Sequence, residues 1–339
     1  MAIPYRTRRA LGRWAVVLLV LLLVLLAVVL CWTLWLGRFV VYTDHGIYFD
    51  FDRNSMHISG QPAVPPGEQE TVPIHFGDED EAAAADKELA QFSGYYISSK
   101  DLEGDLKGML EQIRQLPEEM VIMVEMKNIY GEFNYPTVVG NYYNTKVDRD
   151  AVEDFVDSLL RSGRYVIASV PAFQDQQYGL NNVDEGLFST GGAYLYVDDQ
   201  RCYWLSPSSD KVIGYLAQVA NELRIIGFDE VVFDQFLFPQ SNAYRFSGNK
   251  QEALSNAAAT LLDTCQTKTF AVSFASTSEF TLPEGRTRLY LRNVEAVDVA
   301  DVAQNALVPD NKINLVFLTE YHDTRYDICS VMRPITAMR

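Results

Sequence analysis

Histidine is scarce in this chain. There are four, His45, His57, His75 and His322, and no two stand at the His-x-x-x-His or comparable spacing by which imidazoles share a metal. A metal-dependent polysaccharide deacetylase or hydrolase is therefore a poor reading, and neither metal nor cofactor is expected. Cysteine is equally thin. Cys31 falls in an apolar run, leaving Cys202, Cys265 and Cys329, three residues without tight spacing that support neither a disulfide framework nor a zinc site. Positive charge is short as well, with 28 Lys and Arg against 45 Asp and Glu and a net charge of −17. Arg6, Arg8, Arg9, Arg13 and Arg38 all precede the first acid, Asp44, so residues 44–339 carry −22. Such a body repels phosphate backbones, and nucleic acid is not an expected partner. No glycine-rich phosphate loop follows the first strand-like run, which counts against a doubly wound nucleotide-binding sheet.

What the chain does have begins with Trp14–Leu36, 23 residues without a charge and with Thr33 as the one polar side chain. About 20 such residues span a bilayer as a helix. Trp14, Trp32 and Trp35 lie toward its ends, where indole rings favour the interface, and four arginines precede it against one after it. The run exceeds the roughly 7 to 15 residues of a signal-peptide core. The expectation is a cytoplasmic tail at 1–13, a single-pass helix at 14–36 in contact with the lipid bilayer, and everything after it outside the cytoplasm. A juxtamembrane segment at 37–58 alternates enough for a short strand pair. Residues 59–90, with "QPAVPPGEQETVP" and "GDEDEAAAADKE", read as an acidic linker.

From 91 to 339, apolar runs alternate with helical patterns. Strand candidates are "FSGYYIS", "MVIMVEMK", "YVIASVPAF", "GFDEVVFDQFLFP" and "TFAVSFAS", with "RLYLRNVEAVDVADVA" and "INLVFLTEY" as later ones. Helices are expected over 100–116, 150–162, 209–226 and 250–265, with Ser209 as an N-cap and Gly227 as a C-terminal stop. At least six strand–helix units imply parallel pairing with right-handed crossovers, and a TIM-type (β/α)8 barrel, irregular in its last strands, fits best. A doubly wound open sheet is the runner-up.

Barrel enzymes carry their chemistry at the carboxyl ends of the strands. That rule selects Glu125 and Lys127, Phe173 and Asp175, Asp234 and Gln235, and Glu279, with Trp204 and Phe236 among the aromatics near them. Carboxyl groups among flat rings are what glycoside hydrolysis needs: one protonates the leaving oxygen, another stabilises or attacks the sugar cation, and rings stack on sugar faces. Asp234, Glu125 and Glu279 are the catalytic candidates. Lys127, Phe173, Asp175, Trp204, Gln235 and Phe236 are the substrate-binding candidates. Glu125 and Lys127, two apart, also read as an ion pair on one strand face. Asp229 and Glu230 read as surface residues or helix-end partners at the barrel's base. Asp234 lacks any plain solvated role.

"GFDEVVFDQFLFP" resembles the "GFDEIQFDYIRFP" type of segment found in a family of glycoside-hydrolase-like TIM barrels, most of them uncharacterised. "VIMVEMKN" resembles that family's second strand, "YVIASVPAFQD" its third, and "YWLSPSSDKVIGYLAQVANEL" the Trp-x-Asn/Asp-Pro segment that opens the helix before the fourth. The resemblance implies a barrel glycosidase acting on cell-wall or environmental polysaccharide, with Asp234 at the nucleophile position. The departures are specific. Gln235 stands where the motif has Tyr, Leu237 where it has Arg, Glu125 where the second strand has Asp, and Ser206 before Pro207. Losing that arginine removes a fixed cation that could hold a carboxylate ionised. A degenerate barrel that binds glycan or serves as a scaffold is the alternative.

Overall fold

The computed structural model describes residues 40–43, 46–49, 89–192 and 194–338. The expected membrane helix at 14–36 and most of the acidic linker lie outside these residues. Among the described residues no helix is long and apolar enough to cross a membrane. The chain divides into two compact units, residues 1–73 and 74–339. In the first, Val40–Thr43 and Gly46–Phe49 pair antiparallel, the strand pair expected in the juxtamembrane segment.

The second unit holds a closed barrel of eight parallel strands. These are β1 (Ser93–Ile97), β2 (Val121–Glu125), β3 (Val166–Pro171), β4 (Glu230–Asp234), β5 (Ala271–Ser276), β6 (Leu289–Arg292), β7 (Leu315–Leu318) and β8 (Ser330–Pro334). Each pairs with its neighbours in chain order, and β8 closes on β1 with Val331 opposite Ser93 and Arg333 opposite Tyr95. The first five strands fall within the apolar runs seen in the sequence. The sixth needed dissection: "LYLR" is strand, whereas "VADVA" opens a helix, Val299–Asn305. β8 was not foreseen, because "SVMRP" is short and ends in Pro.

Four helices cover the outside where the 3.6-residue pattern placed them: α1 (Leu106–Arg114), α2 (Arg149–Leu160), α4 (Asp210–Ile226) and α5 (Lys250–Cys265), with the short α3 (Gln176–Asn181) between α2 and α4. α1 begins later than expected because Asp105 caps it, accepting from Gly108 N at 3.0 Å. Ser209 caps α4 through Val212 N, and Gly227 ends it in the left-handed conformation at φ 112°, which glycine adopts without a side-chain clash.

The period-2 alternation of each strand divides two cores. Val231 and Phe233 of β4 face the helices, with Val166, Ala168 and Phe274 from the neighbouring strands. Val232 faces the barrel interior with Met123, Ile167, Ala275, Tyr290 and Met332. Glu230 and Asp234, two residues either side of Val232, share its face. One therefore sits in the barrel's floor and the other at its mouth.

The floor corrects an expectation. Glu230 is fully buried, not a surface residue, and is bound by the Arg288 guanidinium, by Tyr290 Oη at 2.8 Å and by Tyr165 Oη at 3.0 Å. Arg288 stacks over the rings of Phe92 and Tyr165, 4.9 and 5.5 Å from their centroids. Asp229 is buried too, accepting from Val166 N at 2.9 Å. An acid inside a barrel is tolerable only when paired and hydrogen-bonded, and Glu230 is both.

Candidate active site

At the carboxyl ends of the strands, a cleft of about 490 Å³ opens among the loops after β4, β5 and β6. Asp234, Gln235, Ala275, Ser276, Arg292 and Asn293 line it, with Trp204 and Leu237. Asp234 ends β4 facing the interior. Its carboxylate accepts from Arg292 Nη2 at 2.8 Å and Arg292 Nε at 3.3 Å, and from Gln235 N at 2.9 Å. Arg292 ends β6, and between the two strands the inward residue of β5 is Ala275, whose methyl group leaves the guanidinium room to cross.

Arg292 was not foreseen as a site residue. The sequence places a motif arginine at position 237, where Leu stands, and so reads the site as having lost its cation. The structure supplies the cation from β6 instead. The signal was present: Arg288, Tyr290 and Arg292 recur at period 2, from the residue before β6 to its last.

Both charged residues are followed by left-handed backbone, Gln235 at φ 52° and Asn293 at φ 57°. This region is uncommon outside glycine, and more so for Gln than for Asn. At Gln235 the turn aims its N–H at the Asp234 carboxylate as the chain leaves the barrel.

Glu125, the last residue of β2, lies close enough to Asp234 and Arg292 for their charges to act on it. Its carboxylate accepts from Ser99 N at 2.6 Å. Burial raises its pKa above the ordinary value and the Asp234 charge adds to that, with the Ser99 hydrogen bonds and Arg292 pulling the other way. The loop beneath is fixed by Asn134, whose Nδ2 donates to Glu125 O at 2.7 Å and to Ser99 Oγ at 2.8 Å.

The other expected site residues separate from this group. Lys127 does not pair with Glu125. Its Nζ meets Asp175 Oδ2 at 2.5 Å, with both side chains buried. Asp175 also accepts from Tyr178 N at 2.9 Å, capping α3, and from Tyr215 Oη at 3.3 Å. The pair ties the loop after β2 to the loop after β3, away from the cleft. Phe173 and Phe236 are fully buried, with ring centroids 4.8 Å apart, and Phe236 packs on against Phe274 and Phe280. Neither presents a platform to the cleft. Trp204 does line it, its Nε1 held by Asp198 Oδ2 at 2.7 Å. Glu279 is exposed and is not among the lining residues. Among the described residues no group of three or more His, Cys, Asp or Glu side chains is placed to hold a metal ion. Cys202, Cys265 and Cys329 are free and buried.

Residues 94–280, more than half of the chain, match the family model described as "Putative glycosyl hydrolase domain", and the chain belongs to that family. No curated protein matches it. Solved structures similar to it include a hypothetical protein from Ruminiclostridium thermocellum, at 19% identity and TM-score 0.46, covering 52% of this chain and 96% of that one. An α-galactosidase from Thermus thermophilus is 12% identical at TM-score 0.45, covering 71% of this chain and 44% of its own. α-L-Fucosidase isoenzyme 2 from Paenibacillus thiaminolyticus is 11% identical at TM-score 0.43, covering 70% and 48%. The chain spans less than half the length of these two enzymes. At such identities and scores the likenesses bear on neither activity nor substrate.

Proposed function

We propose that this protein is a membrane-anchored glycoside hydrolase whose barrel works outside the cytoplasm on cell-wall or environmental polysaccharide, through Asp234 and Glu125. The observation that carries the reading is the contrast between two carboxyl groups at one barrel mouth. Asp234 accepts three hydrogen bonds, two of them from a guanidinium. Glu125 sits in a drier place that favours its protonated form. Neighbouring carboxyls in unlike surroundings are the arrangement from which an acid and a nucleophile or base are made. Glu125 would give its proton to the glycosidic oxygen as the bond to the anomeric carbon breaks. Asp234 would stabilise or capture the sugar cation, and water would supply the new hydroxyl and return a proton to Glu125. Glu279 and Phe236 are not needed in this scheme, and Lys127 with Asp175 acts as a brace. The uncharged run at 14–36 and its arginine flanks support the anchor.

One observation favours a second reading, a barrel that binds glycan without cleaving it: the Arg292 fork occupies both oxygens of Asp234. The full-length protein, incubated with bacterial wall glycans and with plant and host polysaccharides, separates the two. New reducing ends made by wild type and lost in Asp234→Asn and Glu125→Gln support the hydrolase. Retained binding with no release in any of the three supports the binding module.

A further inference from the structure

The neutral polar side chains of the cleft are unspent. Gln235, Gln240, Ser276, Thr277, Ser278 and Asn293 line it, and none of their side chains makes a hydrogen bond with any described residue. For Ser276 the hydroxyl oxygen is itself buried and still lacks a partner. Several polar groups in the neighbouring loops are paired instead. Asn128 is tied to Glu132, Asn144 to Asn134, and Gln174 to Asp198 and Gln200. This wall thus carries open hydrogen-bonding capacity.

The charges on that wall cancel. Asp234 is the acid and Arg292 the cation among its lining residues, and they are bound to each other. An anionic sugar would find no uncommitted cation there, and would approach a body carrying −22 over residues 44–339. A hydroxyl-rich ligand finds donors and acceptors instead.

Two of the six side chains carry a further mark. Gln235 and Asn293 each directly follow a member of the Asp234–Arg292 pair and each holds a left-handed backbone, at φ 52° and 57°. Glycine would make either turn without the steric penalty an L side chain meets there. A carboxamide at such a position adds hydrogen-bonding atoms beside the ion pair, one on the β4 side and one on the β6 side.

We infer that the cleft receives an uncharged, hydroxyl-rich sugar unit, and that the carboxamides of Gln235 and Asn293 are its specificity-determining groups. This rests on the assignment of the cleft to a glycan in the proposed function. The test is calorimetric binding to the full-length Glu125→Gln protein, which keeps the ion pair intact. The probes are neutral oligosaccharides of glucose, xylose, mannose and N-acetylglucosamine against galacturonate and hyaluronan oligosaccharides of equal length.

The inference expects at least one neutral probe to bind, with affinity that does not change with salt. It expects Gln235→Gly and Asn293→Gly to weaken that binding roughly ten-fold each, one lost hydrogen bond apiece, with a melting temperature unchanged or raised. Preferential, salt-sensitive binding of an acidic probe overturns the inference, as does neutral binding that neither variant weakens. Neutral binding that the variants weaken, with no cleavage by the wild-type enzyme, removes the hydrolase reading and leaves this one standing. Failure to bind any probe overturns both.

Discussion

The guanidinium of Arg292 grips the carboxylate of Asp234 with two nitrogens, at 2.8 and 3.3 Å, across a strand that separates their own two. The fork fixes the carboxylate in orientation as well as charge, which an ammonium cannot do. In the hydrolase reading, Arg292→Lys is therefore expected to lower kcat/KM by about 10²-fold, the scale of a misplaced catalytic group, even though the charge is kept. Initial rates of reducing-end release check it. A rise in activity would mean that the fork inhibits Asp234.

Ala275 makes that crossing possible. Ala275→Leu fills the space between β4 and β6 and is expected to part the pair, at an overpacking cost of about 1–3 kcal/mol. Activity should fall as far as in Arg292→Lys, and the two substitutions together should cost little more than either alone. Rates for the single and double variants measure this coupling.

Glu125 makes stability depend on pH in a definite sense. Its folded pKa is raised above 4.5, so the folded protein holds a proton there that the unfolded chain releases. Stability should fall as pH rises from about 4.5 through the raised value, and Glu125→Gln should flatten the curve over that window. Denaturant titrations across pH test it. In the hydrolase reading the same group sets the alkaline limb of kcat/KM, where the acid form is lost.

Lys127 and Asp175 are buried together, so removing one strands the other. Lys127→Ala is expected to cost about 3–5 kcal/mol, a fall in Tm on the order of 10 °C. Lys127→Met with Asp175→Asn should recover much of that loss, because Asn can still cap α3. Thermal melts decide. A loss of binding without a loss of stability would return the pair to the substrate site.

The barrel floor predicts a graded series. Glu230→Gln leaves the Arg288 charge buried without its acid and should cost about 3–5 kcal/mol. Tyr165→Phe removes one hydrogen bond to Glu230 and should cost about 1 kcal/mol. Urea midpoints give both values.

The barrel was legible because its signal is local and repeated. Strands such as Val166–Pro171 are buried on both faces and read as unbroken apolar runs, and helices such as Asp210–Ile226 announce both ends. Asp234 stood out for the same reason, as a charge closing an apolar run. What was hidden depends on closure. Arg292 and Asp234 are 58 positions apart, and only the curvature of the closed sheet brings them together. Which acid Lys127 would choose was equally non-local: Glu125 is nearer in sequence but points into the barrel, and Asp175 arrives from the next loop. Glu230 was misread because an acid at the start of a strand is ordinarily solvated, and its partners Arg288 and Tyr290 stand just before and within another strand.

The packed floor also limits the paths open to any ligand. With Phe92, Tyr165, Glu230, Arg288 and Tyr290 at its lower end and Met123, Ile167, Val232 and Met332 in the same interior cluster, the barrel is a filled core rather than a tunnel. In the hydrolase reading a glycan chain must therefore lie across the mouth rather than thread through the barrel. In that reading, whatever is released departs by the route along which the next chain arrives, and short fragments compete with longer ones for the same opening.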